Sequence, residues 1–263
     1  MNNVERCLLI GIALLLSTGC ASRRVAAMKQ NLEPEAEREF LRTRVTQLWQ
    51  AKVVEDWDSA FDFYEPEKRT AYRATGIAEY GTEPVRILSF NVENVVTEND
   101  LGWVLVAYQV TLLRYDYPVP VAMQSSEKWR RVDGNWYFVP GRESIMYPES
   151  PELRNRSEEA VLRKRFEESW SARRRSKWDR LYKMIDPRDH EQVILDDYAH
   201  TEDEFRYLQC RIGWVEVIGD SGRVLVTYNR QSTDKNFSEL PPSDATTIEQ
   251  WVRIKGVWYL DVK

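Results

Sequence analysis

The sequence predicts an α+β protein in which one helix-then-sheet unit occurs twice in tandem. The first observation is an internal repeat, in which tryptophans and their neighbours recur 121 or 122 residues further along: Trp49, Trp57, Asp58 and Pro66 match Trp170, Trp178, Asp179 and Pro187, and Trp129, Gly134 and Trp136 match Trp251, Gly256 and Trp258. The second observation is a change of hydrophobic period within each copy, from that of a helix to that of a strand. A repeat this long, present twice, indicates two whole domains rather than solenoid units.

Each copy opens with an amphipathic helix. Leu41, Val45, Leu48 and Trp49 fall on one helical stripe, and their counterparts in copy two are Leu162, Phe166 and Trp170. Apolar residues at this spacing predict a helix that buries one face. A short second helix follows, and the proline at 66 or 187 predicts a third short helix that starts there.

The rest of each copy alternates apolar and polar residues, which predicts an antiparallel sheet of about four strands. Turn residues separate the strands at Glu98-Asn99-Asp100, at Gly219-Asp220-Ser221-Gly222, and at the Asp133-Gly134 and Lys255-Gly256 pairs. Asp-Gly between alternating apolar residues is a strong hairpin signal. We therefore expect three helices to cover one face of a four-stranded sheet in each copy.

These motifs resemble those of the nuclear transport factor 2-like superfamily. The likeness rests on a helix ending in Trp, on Asp56-Trp57-Asp58 or Lys177-Trp178-Asp179, and on a closing Trp-x-Arg-x-x-Gly-x-Trp-Tyr that starts at Trp129 or Trp251. The likeness covers residues 35–140 and 156–263. It implies a cone in which a bent sheet wraps around three helices, often with a pocket inside. It leaves the activity open, because the superfamily includes isomerases, dehydratases, cyclases, transport factors and non-catalytic binding domains.

The start of the chain predicts export and lipidation. An apolar run of ten residues, 7–16, is too short for a spanning helix and is typical of a signal peptide. The sequence Leu-Ser-Thr-Gly-Cys, which ends at Cys20, resembles the lipobox of bacterial lipoproteins. It departs from that pattern at Ser17, where a larger aliphatic residue is preferred. The alternative is an ordinary signal peptide that is cut near Ala21-Ser22. We therefore assign 1–19 to the signal peptide, 20–34 to a lipidated tether and 141–155 to the inter-domain linker. Ala21, rather than Asp, favours the outer membrane, facing the periplasm, over the inner membrane.

Composition narrows the function classes. A net charge of −5 gives no electrostatic drive toward nucleic acid. Of the three cysteines, Cys7 lies in the signal peptide and Cys20 is the lipidation candidate, so Cys210 has no disulfide partner within the folded part. We interpret Cys210 as a buried strand residue rather than a reactive thiol.

Catalytic and metal-binding residues are not evident. His190 and His200 are the two histidines of the chain; His190 falls among charged residues and His200 in a predicted loop, so we interpret both as surface residues and assign no metal site and no cofactor. We find no strand carboxylate that recurs in both copies in an apolar pattern. Asp58 and Asp179 do recur, and there an Asp is more typical of a helix cap. The basic run Arg173–Lys177 is interpreted as cations at a helix C-terminus, with an anionic lipid or partner contact as the alternative.

The residues that we select as candidates for a pocket or an interface are aromatic and lie in strands. They are Trp103, Trp214, Tyr108 and Tyr228. The function that we expect is a non-catalytic envelope lipoprotein that binds a protein, a peptide or a small apolar ligand through its cone domains. The alternative is an isomerase-like or dehydratase-like enzyme with its active site in one cone. The expected partners are the membrane, through the lipid, and an envelope protein, and the two cones are expected to form a pseudo-dimer within the chain or a homodimer.

Overall fold

The computed structural model describes residues 34–73, 85–112, 119–237 and 239–262. Contacts between Cα atoms separate the chain into two compact units, the first ending at Pro140 and the second beginning at Gly141. The predicted signal peptide, Cys20 and most of the predicted tether lie outside the described residues. No helix in the described ranges is long and apolar enough to cross a membrane.

The first unit has three helical segments followed by an antiparallel sheet. The helices are α1 (34–53), α2 (Trp57–Phe61) and α3 (69–73). The strands are β1 (Val85–Glu98), β2 (Leu101–Leu112), β3 (Pro120–Val132) and β4 (Asn135–Val139), paired in the order β1-β2-β3-β4.

The second unit repeats this plan with additions. Its helices are α4 (Gly141–Ser144), α5 (Arg156–Arg173), α6 (Trp178–Tyr182) and α7 (Leu195–Asp203). Its strands are β5 (Phe205–Ile218), β6 (Ser221–Ser232), β7 (Ser243–Ile254) and β8 (Val257–Asp261), paired antiparallel in the order β5-β6-β7-β8. The predicted α+β class with two four-stranded antiparallel sheets is confirmed.

The tight turns close where the sequence predicts them. Asp133 and Gly134 have φ of 49° and 80°, and Lys255 and Gly256 have 48° and 82°. Two consecutive residues at positive φ are the signature of a two-residue hairpin whose twist matches that of its strands, and glycine at the second position adopts that conformation without strain. These turns join β3 to β4 and β7 to β8.

Both sheets contain bulges at equivalent places. The register of β1 on β2 shifts between Ile87 and Ser89 and again between Val92 and Asn94. The register of β5 on β6 shifts at the same two points of the repeat, 120 residues later. An extra residue in one strand bends it and increases its twist, so both sheets are bent at equivalent places.

The cores form between the first helix of each unit and its sheet. The predicted stripe on α1 is buried completely or nearly so, at Leu41, Val45, Leu48 and Trp49, and packs with Trp129 and Trp136. The counterpart in the second unit is built from Leu162, Phe166 and Trp170 against Trp251 and Trp258. The large indoles therefore fill the space between helix and sheet, as the repeat predicts.

A glycine in the second strand of each sheet permits this close packing. A Cβ atom at Gly222 would lie 2.5 Å from Leu162 Cδ2 and 3.0 Å from Trp258 Cζ3. At Gly102, 120 residues earlier, a Cβ atom would meet Leu41 and Trp136, the equivalent residues of the first unit. Glycine stands at both positions because helix and indole come too close for any side chain.

The third short helix predicted at Pro187 is present as a 3-10 helix, Pro187–Asp189, and α7 follows it. Two local predictions are wrong. His200 lies within α7 and not in a loop. The cap of α2 is Asp56, whose carboxylate accepts a hydrogen bond from the Ser59 backbone N–H; Asp58 instead pairs with Arg73 at 3.4 Å.

The predicted linker segment, 141–155, is folded onto the second sheet. The Asn155 backbone N–H donates to the Val217 carbonyl at 2.8 Å, and Arg154 Nη2 donates to the Val215 carbonyl at 2.9 Å. The Glu149 backbone N–H donates to the Glu216 carboxylate. Backbone polar groups that bond to a strand are held in place, so this segment is part of the second unit.

Candidate functional site

A cavity of about 430 Å³ lies on the helix side of the first sheet. Its walls are mostly aromatic and aliphatic: among the described residues, these are Trp49, Trp57, Val85, Ile87, Tyr108, Val110, Met123 and Phe138. The polar groups that line it are Lys52, Glu55, Arg86, Ser125 and Glu127. An apolar pocket of this size with a few polar groups has the usual character of a small-molecule site.

The two charged groups deepest in this site come from α1 and β3. Trp49 and Lys52 are three residues apart on α1, so both project from the same face of the helix. Glu127 and Trp129 are two residues apart on β3, so both face the helix. The Lys52 ammonium lies 3.6 Å from Glu127 Oε1, and it sits over the Trp49 ring at 4.5 Å from the ring centre.

Two indoles hold the Glu127 carboxylate. Trp49 Nε1 donates to Glu127 Oε1 at 3.0 Å, and Trp129 Nε1 donates to Oε2 at 3.1 Å. The side chain is almost fully buried, at 3% exposed, and a buried carboxylate is tolerated when it is hydrogen-bonded and paired with a cation. Glu127 therefore acts as a fixed anion that orients two tryptophans and one lysine.

The second unit places a corresponding set of charges at its own centre. Arg173 occupies the position of Lys52, and its Nη1 donates to Glu249 Oε1 at 2.9 Å. Arg173 Nε also lies 3.7 Å from the Glu202 carboxylate on α7, and the Tyr207 hydroxyl donates to that carboxylate at 2.7 Å. Burial alone would lower the pKa of Arg173, but the carboxylates of Glu249 and Glu202 outweigh it, so the pKa is raised and the guanidinium stays charged.

The tyrosines beside Arg173 are held neutral. Burial, and then the negative charge of Glu202, raise the pKa of Tyr198 and of Tyr207 above the ordinary value for a phenol. A tyrosine that must remain protonated can donate a hydrogen bond but cannot serve as a base near neutral pH. Arg173, Glu249, Glu202 and Tyr207 thus form a connected network of ion pairs and hydrogen bonds.

Sequence reasoning missed these charged pairs. The statement that no strand carboxylate recurs is wrong, because Glu127 and Glu249 recur 122 residues apart and both lie in a Glu-x-Trp motif. Arg173 does lie in the last turn of α5, as predicted, but its side chain is only 8% exposed and its ion pairs with carboxylates were not predicted. The signal was present in the repeat offsets themselves, which pair Lys52 with Arg173 and Glu127 with Glu249.

The four aromatic candidates from the sequence divide into two groups. Tyr108 lines the cavity, and Tyr228 packs at the equivalent place against Trp170, with ring centres 5.6 Å apart. Trp103 is buried on the opposite face of β2. Trp214 donates from Nε1 to the Met146 carbonyl at 3.0 Å, so it fastens segment 141–155 to β5.

Both histidines belong to the second unit, and neither is among the described residues that line the cavity. The His190 ring stacks on Tyr182 with centres 4.4 Å apart, and His200 is exposed on α7. Within the described ranges, no three His, Cys, Asp or Glu side chains are grouped so that they could hold a metal ion.

Two of the solved structures that resemble this chain share little sequence with it. A SEC-C motif-containing protein from Rhodopseudomonas palustris is 17% identical, with 35% of this chain and 68% of that chain covered and a TM-score of 0.31. An Ntf2-like protein involved in plasmid conjugation is 9% identical, with 76% and 90% covered and a TM-score of 0.27. No family model and no curated protein matches the chain.

Proposed function

We propose that this chain is a non-catalytic envelope lipoprotein whose first unit binds a small, mainly apolar molecule in the cavity between α1 and the sheet. The observation that carries the proposal is the aromatic-lined space of about 430 Å³. Small-molecule sites typically enclose about 300 to 1,000 Å³ and combine apolar walls with a few polar groups. Trp49, Tyr108 and Phe138 supply flat apolar surface, and Lys52 and Ser125 supply polar contacts.

The arrangement of Glu127 favours binding over catalysis. In an enzyme of the isomerase type, a carboxylate must exchange a proton with the substrate. Here each carboxylate oxygen already accepts an indole N–H, and the Lys52 ammonium lies beside Oε1. A carboxylate with these three partners is held in place. The enzyme alternative would require Glu127 to leave both indoles.

The order of helices and strands in each unit supports a proposal about the protein's family. Each unit combines a long first helix, a Trp-Asp start of the second helix, and a bent four-stranded antiparallel sheet closed by a Trp-x-Arg-x-x-Gly-x-Trp-Tyr hairpin. This is the plan of the nuclear transport factor 2-like superfamily, and we assign both units to it. A cavity on the helix side of the bent sheet is where that plan places a ligand.

Ligand binding is tested with the fluorescent probe N-phenyl-1-naphthylamine. Ser125 and Ser126 are neighbours on β3, but Ser125 lines the cavity whereas Ser126 lies on the opposite, exposed face. We expect the wild-type protein to enhance probe fluorescence saturably, Ser125→Phe to abolish the effect by filling the cavity, and Ser126→Phe to retain it. Equal probe binding by wild type and Ser125→Phe would refute the assignment of the site.

The envelope location has a separate test. The proposed lipidation at Cys20 predicts that labelled palmitate enters the protein in cells, and that Cys20→Ala eliminates the label. The proposed sorting predicts that the protein co-sediments with outer-membrane markers on a sucrose gradient. Persistent label in Cys20→Ala would remove the lipoprotein proposal while leaving the cavity unaffected.

A further inference from the structure

We propose that the cavity of the first unit takes a small-molecule carboxylic acid, with its carboxylate paired to Lys52 and its apolar body against Trp49 and Tyr108. This inference rests on the proposed function and adds the chemical class of the ligand. It comes from comparing the two copies, because the second unit shows which groups surround the same cation when its site is filled by the protein's own side chains.

In the second unit, the cation on the first helix engages two carboxylates. Arg173 bonds to Glu249 from the sheet at 2.9 Å and pairs with Glu202 from α7 at 3.7 Å. Tyr207 completes the arrangement by donating to Glu202 at 2.7 Å, and the Trp170 and Tyr207 rings lie 5.6 Å from the guanidinium. The buried site thus combines one cation, two carboxylates and an aromatic surround.

The first unit has the corresponding cation and the first of these carboxylates. Lys52 and Glu127 stand at the positions of Arg173 and Glu249, with Trp49 at the position of Trp170. The position of Tyr207 is taken by the smaller Ile87, which lines the cavity. Among the described residues, Glu127 is the carboxylate that pairs with Lys52, and no second carboxylate pairs with it as Glu202 pairs with Arg173.

The ammonium of Lys52 also has donor capacity left. Glu127 is held by the indoles of Trp49 and Trp129 rather than by a short bond from Lys52, whose Nζ is 3.6 Å from Oε1. An ammonium carries three donors, and within the described part of the chain none of them makes a hydrogen bond. The Lys52–Glu127 pair is neutral overall, so one added carboxylate would reproduce the charge composition around Arg173.

A ligand carboxylate would therefore take the place that Glu202 takes in the second unit. A charge-assisted hydrogen bond from a partly desolvated ammonium is stronger than a neutral one, so the pair selects an acid over an uncharged analogue of the same shape. The aromatic walls select for the apolar body. Arg86 at the rim is 62% exposed and paired with Glu55 at 3.2 Å, so its charge contributes little to this selection.

The test is isothermal titration calorimetry of the protein with octanoate and with octanamide. These two molecules have the same hydrocarbon chain and differ in charge. We expect octanoate to bind at least about tenfold more tightly, the ratio typical of one hydrogen bond to a charged group. The double variant Lys52→Met/Glu127→Gln removes both charges together and leaves no buried charge unpaired. It should reduce the preference to about twofold or less.

Two further variants show which cation causes the preference for octanoate over octanamide. Lys52→Arg keeps the charge and should retain the preference for octanoate, whereas Arg86→Met removes a rim charge and should also retain it. Loss of the preference in Arg86→Met, or its persistence in the double variant, would overturn the assignment to Lys52. Circular dichroism melts of each variant confirm that the unit remains folded.

The outcomes separate this inference from the proposed function. If octanamide binds as tightly as octanoate, or if neither binds although N-phenyl-1-naphthylamine does, the inference fails and the cavity remains a binding site for neutral ligands. If neither amphiphile nor the probe binds, the proposed function fails as well.

Discussion

At the scale of residues, the tryptophans that recur in both copies make different contacts with the carboxylates Glu127 and Glu249. In the first unit, Glu127 receives N–H donors from Trp49 and Trp129. In the second, Arg173 supplies the main bond to Glu249, and Trp251 Nε1 has no hydrogen-bond partner among the described residues. Trp129 therefore both donates a hydrogen bond and packs in the core of the first copy, whereas its counterpart Trp251 only packs in the core of the second.

Trp129→Phe should be more destabilising than Trp136→Phe. Both indoles are fully buried, so the loss of apolar area is similar. Trp129 donates to Glu127, whereas Trp136 Nε1 has no hydrogen-bond partner in the described ranges. Because an unsatisfied buried carboxylate is costly, the difference in free energy of unfolding should be about 1–3 kcal/mol. Urea denaturation measures both variants; equal losses would show that the Trp129 bond contributes nothing.

Cys210 should react slowly with iodoacetamide. Burial raises the pKa of its thiol to about 11, and the thiolate is the reactive form. Since the pKa is raised, the thiol is protonated at pH 8, and the alkylation rate should increase about tenfold per pH unit up to pH 10. Mass spectrometry of the Cys210 peptide measures this rate. A rate at pH 8 equal to that of an unfolded control would contradict a buried thiol.

At the scale of elements, hairpins and the first helices were predictable, whereas the contacts across the core were not. Asp133-Gly134 and the stripe Leu41–Trp49 are local signals, and local spacing decides them. The Arg173–Glu249 bond joins residues 76 positions apart, and no local pattern specifies it. Aligning the copies at charged positions as well as at tryptophans would have identified it.

The role of α7 was also beyond local patterns. The sequence around Asp197 and Glu202 is polar, with no buried stripe, and α7 has no fully buried residue. Tyr198 and Ala199 of α7 pack against Trp178 and Leu181, and Trp178 Nε1 donates to Asp203 at 2.6 Å. These contacts join different elements, and local sequence spacing does not specify them.

Gly222→Ala should destabilise the second unit, because the added Cβ would meet Leu162 Cδ2 at 2.5 Å and the Trp258 ring at 3.0 Å. Overpacking of this kind costs about 1–3 kcal/mol. The matched control is Gly141→Ala, where nothing lies within 4 Å of the new Cβ atom. Thermal melts should show a lower Tm for Gly222→Ala and an unchanged one for Gly141→Ala. The reverse order would contradict the close packing of helix α5 on β6.

At the scale of the whole molecule, the chain consists of two copies of one unit with different interiors. The first contains a cavity beside a lysine, and the second contains a closed ion network around Arg173. The proposed binding role therefore applies to the first unit alone, whereas the charged side chains of the second unit pair with one another. The predicted protein partner and the predicted pseudo-dimer or homodimer stay predictions at this scale.

The boundary between the units gives a further prediction. A fragment of residues 141–263 should fold alone, because it contains its own core cluster. A fragment of residues 156–263 should be less stable, since it lacks the bonds from Arg154 and Asn155 to β5. Urea midpoints by circular dichroism compare the two. Equal midpoints would show that segment 141–155 is a linker after all.

The most direct measurement is a crystal structure of the protein with octanoate. The account predicts electron density for the ligand in the first unit, with its carboxylate at hydrogen-bond distance from Lys52 Nζ and its chain along Trp49 and Tyr108. Octanoate bound elsewhere, or protein side chains filling the cavity of the first unit as they fill the second, would contradict it.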